Sequence, residues 1–132
     1  MKRACAAAIV VCACLPRGID AAQIRPAIPL MVGGQEASEG CTGTATISIR
    51  SGTTLNLRAG PGLTHPVIAR LSDGQRVSIC QRRDGWVGVL VFRTGPGPSD
   101  CQVSDAGPKP TPYAGPCVSG WITAKYVRIL AG

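Results

Sequence analysis

From position 45 onward, apolar and polar residues alternate with a period of two, interrupted at short intervals by glycine, proline and aspartate. Ala45, Ile47 and Ile49 alternate with Thr46 and Ser48, the pattern of a strand with one buried face. Ser51-Gly52-Thr53 turns the chain into a second such run, Leu55-Asn56-Leu57-Arg58, which stops at Ala59-Gly60-Pro61-Gly62. Two further arms, Val67 to Leu71 and Arg76 to Cys80, flank an Asp73-Gly74 turn. Asp84-Gly85 is a second tight-turn signal. Trp86 to Phe92 places Val87, Val89 and Val91 on one face and Trp86, Leu90 and Phe92 on the other. With both faces apolar, this predicts a central strand covered on its second side. Trp121 to Ala124 and Val127 to Leu130 complete the series. No stretch after the first 22 residues carries a helical period. Short strands at regular turns predict an all-β fold, a small barrel of about sixty residues apart from one long insertion.

The same residues carry a resemblance. The order Leu55-Asn56-Leu57-Arg58, Gly60-Pro61-Gly62, Val67-Ile68-Ala69-Arg70-Leu71, Gly74, Gly85-Trp86-Val87, Gly120-Trp121-Ile122 and Tyr126-Val127 resembles the bacterial Src-homology-3 (SH3-like) family. In that family a strand ending LNVRSGPG is followed by a VIG-x-L strand, a glycine turn, GW-x-x-V, a short loop, GWV and a final Y-L. The likeness spans roughly Ala45 to Leu130. One departure is plain: the loop before the last Gly-Trp runs from Arg93 to Ser119 here and carries two cysteines. The resemblance implies an extracytoplasmic module that binds or scaffolds, often on peptidoglycan or its peptides. It further implies that Asn56 and Arg58 brace the loop through backbone hydrogen bonds and that Trp121 packs beneath it.

The ends of the chain divide it further. Lys2 and Arg3, twelve apolar residues from Ala4 to Leu15, and the small residues Ala21-Ala22 read as a secretory signal peptide over residues 1–22, cleaved near Ala21 or Ala22. The apolar run is shorter than the ~20 residues of a membrane span. A lipoprotein anchored at Cys14 is the alternative. Residues 23–40, with two prolines, Gly33-Gly34 and no lasting period, read as a flexible tether. Against this, Ile28, Leu30, Met31 and Val32 offer an apolar surface that would let part of it lie on the barrel. Residues 41–132 then form the SH3-like domain, with 93–119 as its insertion. Six prolines and four glycines exclude a core within that insertion.

Composition changes the picture in two respects. Seven of the 132 residues are cysteine. Removal of the leader leaves Cys41, Cys80, Cys101 and Cys117, an even set in an oxidising compartment, hence two disulfides. Three pairings are open; Cys101–Cys117 stapling the insertion, with Cys41–Cys80, is favoured. The formal charge of +7 falls to +5 on cleavage, with 11 basic and 6 acidic residues remaining. A positive exported protein suits anionic wall polymers, headgroups or acidic peptides better than nucleic acid.

Catalytic sets are missing from the sequence. His65 is the one histidine, so a Cys–His pair would draw on cysteines expected to be oxidised. No Cys-x-x-Cys spacing supports zinc, and no cofactor is expected. Asp73, Asp84, Asp100 and Asp105 include three in turn contexts. The expected function is therefore a non-catalytic, periplasmic or secreted binding module for peptidoglycan or wall peptides, without nucleic acid or membrane span. Its candidate surface is Asn56, Arg58, Trp86, Tyr113, Trp121 and Tyr126. The alternative is a disulfide-stabilised scaffold that meets another envelope protein through the Pro-rich insertion, with Tyr113 at its tip.

Overall fold

A computed structural model describes residues 26–33, 41, 43–92, 101–103 and 109–131. The leader at 1–22 (with Cys14), positions 23–25 and 34–40 of the expected tether, and 93–100 and 104–108 of the insertion lie outside the described residues. The described chain forms strands β1 (Met31–Val32), β2 (Gly43–Ile47), β3 (Thr54–Arg58), β4 (Val67–Ser72), β5 (Arg76–Arg83), β6 (Trp86–Val91), β7 (Thr111–Pro112), β8 (Val118–Thr123) and β9 (Val127–Ala131). One 3-10 turn, Ala124–Tyr126, leads into β9. Seven strands make one sheet in the order β4-β3-β8-β6-β5-β2-β9, and β1 pairs with β7 in a second, two-stranded ribbon.

The alternation seen in the sequence builds the inner core. Ala45 and Ile47 from β2, Leu55 and Leu57 from β3, Leu71 from β4, Val77 and Ile79 from β5, and the three valines of β6 join Ile122 in one buried cluster. Residues from β4 and β2, far apart in the sheet order, meet in that cluster, so the sheet is rolled around it as in a small barrel. The Asp84-Gly85 turn has both residues at positive φ, 47° and 81°, the type I′ conformation that matches strand twist. It carries β5 on to Arg83, three residues past the expected end. Ile49, in contrast, falls outside β2: its N–H is taken at 3.0 Å by the Asp73 carboxylate rather than by a strand.

The second face of β6 is covered, as its double-sided apolar pattern requires. Leu30, Val32, Leu90, Cys101, Tyr113, Cys117 and Trp121 form a second buried cluster, with Trp86, Phe92 and both remaining cysteines packed against it. Cys41 is joined to Cys80 and Cys101 to Cys117, the favoured pairing.

This cluster corrects the expectation of a tether for residues 26–33. Leu30 is 1% exposed. Met31 and Val32 pair with Pro112 and Thr111. The N–H of Ile28 donates to the Ala59 carbonyl at 2.9 Å, and that of Met31 to the Gln81 side chain at 3.0 Å. The physical reason lies at Gly88, which pairs with Trp121 across β6 and β8. A Cβ there would stand 2.6 Å from the Leu30 Cδ1 and 3.3 Å from the Trp121 ring. The missing side chain is the socket that Leu30 occupies.

Candidate functional site

The six candidate residues do not form one surface. Trp121 is 0% exposed, its indole N–H donates to the Ile28 carbonyl at 3.0 Å, and the Arg83 guanidinium lies 5.5 Å from its ring centroid. It cannot meet a ligand, because the 26–33 segment lies on it. Tyr113 is 8% exposed and not at a tip. Its hydroxyl donates to the Cys101 carbonyl at 2.7 Å and accepts from the Cys117 N–H at 3.0 Å, bridging the two ends of the disulfide loop. Gly115 leaves room for that hydroxyl, since a Cβ there would fall 2.4 Å from it. With Tyr113 inside, no described residue of the insertion offers an aromatic anchor to a partner.

Arg58 ends β3 and turns its guanidinium back over the Gly60–Pro66 loop. Its Nη1 donates to the Leu63 carbonyl at 3.2 Å and to the His65 carbonyl at 2.9 Å. The Ala59 N–H reaches the Pro66 carbonyl at 2.9 Å and closes the same loop. Arg58 is therefore a brace, as its position in the LNLR strand implied. His65 lies against Gly60, where a Cβ would stand 2.6 Å from its ring. Asn56 is half-buried in β3, in register with Arg70 of β4.

Trp86 and Tyr126 are both half-buried but belong to opposite sides of the sheet. Trp86 packs against the outer cluster and Tyr126 against the inner one. Tyr126 alone of the candidates lines an open concavity of about 510 Å³, with Ser48, Ile49, Arg50, Thr53, Thr54 and Leu55. The turn Arg50–Thr53 shapes its rim: the Thr53 N–H and hydroxyl both donate to the Arg50 carbonyl, at 3.1 and 2.6 Å. The Ser48 N–H donates to the Tyr126 carbonyl at 2.8 Å, tying the rim to the 3-10 turn. Lys125 holds its ammonium 5.6 Å from the Tyr126 ring centroid. The concavity thus offers one aromatic face, two aliphatic side chains, three hydroxyls and one cation, with a second cation, Lys125, against the aromatic ring.

A protein-family model, described as bacterial SH3 domain, matches residues 53–128. The chain belongs to the bacterial SH3 domain family. The matched span starts just before β3 and ends within β9, so it takes in the bracing loop, the central strands and the insertion. No curated protein and no solved structure matches the chain. Family membership makes this bacterial SH3 domain a binding module by type, of a kind often tied to the cell wall. Its two disulfides fit a location outside the cytoplasm. Among the described residues, no helix is long and apolar enough to cross a membrane.

The sequence reading missed Arg50, Thr53 and Thr54 of the concavity. A turn of arginine, serine, glycine and threonines looks like any exposed connection. Only the return of the chain through Tyr126 makes it one wall of a depression.

Proposed function

We propose that this bacterial SH3 domain is an exported, non-catalytic module that binds peptidoglycan or cell-wall peptides through the concavity around Tyr126. One observation carries the reading: a stiff, half-buried aromatic stands at an opening lined also by Ile49 and Leu55 and rimmed by three hydroxyls and the Arg50 guanidinium. Its volume falls within the usual range of ligand clefts. Wall peptides bring amides and carboxylates, which hydroxyls and guanidinium recognise, and the Tyr126 ring supplies contact area at small entropic cost. A leader cleaved near Ala21 or Ala22 belongs to this reading, and N-terminal sequencing of the exported protein should begin at Ala22 or Gln23.

Co-sedimentation with purified peptidoglycan at low and at high salt tests it. The wild-type chain, with disulfides intact, should pellet at both. Tyr126→Ala should lower the pelleted fraction about tenfold, as truncation of a central aromatic anchor does. Trp86→Ala, on the opposite side of the sheet, should pellet as the wild type. Pelleting confined to low salt would reduce the interaction to screened net charge and overturn the proposal.

A further inference from the structure

β9 closes one end of the seven-stranded sheet and has β2 as its strand partner. Along its other side, no strand of the described chain takes up its main-chain N–H and C=O groups. Such an edge is a template for a further strand. Two neighbouring residues of this edge, Ile129 and Leu130, are 49% and 53% exposed. Leu130 is the extra residue where the register of β9 against β2 shifts, so two adjacent apolar side chains border the edge.

Beside it runs a basic row. Thr46 of β2 stands in register with Arg128 of β9 on one side and with Arg76 of β5 on the other. Residues in register share a face, so the two exposed arginines flank Thr46 with their backbones about 10 Å apart, twice the strand spacing. Lys125, also exposed, lies in the turn that enters β9. Asp73 and Asp84 are the only acidic side chains among the described residues. Asp73 accepts the Ile49 N–H, and Asp84 sits in the β5–β6 turn.

We propose that the β9 edge and the Arg76–Thr46–Arg128 row form a docking strand for an extended acidic segment of another protein. The two features point to one occupant. A free strand edge is matched by another main chain, which selects a polypeptide over other polyanions. Guanidinium groups are matched by carboxylates, which they hold in pairs of parallel hydrogen bonds. A second copy of this chain is disfavoured, because β9–β9 pairing brings the Arg128 and Lys125 cations of two copies to one short seam. This partner is distinct from the wall ligand of the Tyr126 concavity, so either interaction stands if the other fails.

Fluorescence anisotropy with a labelled octapeptide of alternating Glu and Val tests the proposal on the chain with both disulfides formed. The peptide should bind, and its Lys-Val counterpart should not. N-methylation at alternate residues keeps every carboxylate but removes the edge-pairing donors; it should weaken binding at least about tenfold. Arg76→Glu with Arg128→Glu should exchange the preference, losing the Glu-Val peptide and gaining the Lys-Val one. Both substitutions are at exposed positions, and an unchanged circular dichroism spectrum would show that the fold survives. Tyr126→Ala should leave this binding intact. Equal binding of the N-methylated peptide would exclude strand addition, and an unchanged preference in the double variant would exclude the basic row. A chain that sediments as a dimer without peptide would put a second copy on the edge instead.

Discussion

The two faces of strand β6 are buried by different means. Its inner face, Val87, Val89 and Val91, meets strands of the same rolled sheet. Its outer face, Trp86 and Leu90, with Phe92 just past its end, meets segments that come from outside that sheet: the 26–33 stretch, the end of the insertion and two disulfides. The inner core follows from alternation and turn chemistry, which are local. The outer cluster depends on pairings between distant parts of the chain, and on covalent bonds to keep them there. The difference teaches where a small barrel finds extra stability. A core of about sixty residues is marginal, and this chain adds a second apolar layer instead of enlarging the first.

That contrast can be broken from the outside inward. Replacing all four paired cysteines by alanine should cost most. In the loop-entropy picture the Cys41–Cys80 closure contributes about 4 kcal/mol and the shorter Cys101–Cys117 closure about 3 kcal/mol. Urea denaturation should then show a chain largely unfolded at 37 °C, while a native-like midpoint would mean that packing alone holds the outer layer. Trp121→Ala should destabilise by about 4 kcal/mol, since it empties a fully buried site and orphans the Ile28 carbonyl. Leu30→Ala should cost about 3 kcal/mol. Hydrogen exchange sharpens this case: amides of Ile28 and Met31 should lose protection while those of β5 and β6 keep theirs. Equal loss in both would show one cooperative core where we describe two. Tyr113→Phe should cost the least, about 1–2 kcal/mol for two buried hydrogen bonds, with no effect on peptidoglycan pelleting.

The legibility of the chain divides along the same line. β2 to β6, β8 and β9 were readable because alternation and the Asp73-Gly74 and Asp84-Gly85 turns are written in neighbouring residues. The double-sided apolar pattern of Trp86 to Phe92 announced a cover without naming all of it. The 26–33 stretch was readable only as the less favoured alternative, an apolar surface for the barrel: its strand is two residues long, prolines break its period, and its socket is a glycine 58 positions away from Leu30. Tyr113 has a turn residue's neighbours and a core residue's environment, because a disulfide folds its loop over it. Trp121 and Arg58 were recognisable as structural through the family pattern. The concavity was marked in the sequence by Tyr126 alone, since its remaining walls are turn residues and the ends of two alternating runs, Ser48-Ile49 and Thr54-Leu55.

The hydrogen bond from Trp121 to Ile28 joins residues 93 positions apart. It therefore sets an order of events when the chain folds. The inner strands can pair as they appear, each with a neighbour already made or soon to follow. Leu30 and Ile28 must wait until β8 has arrived, 93 positions after Ile28. Until then the outer side of β6 stays bare, and closing so long a loop is slow. A chain of this design spends its vulnerable interval with its sheet still open between β3 and β6 and its coat not yet laid.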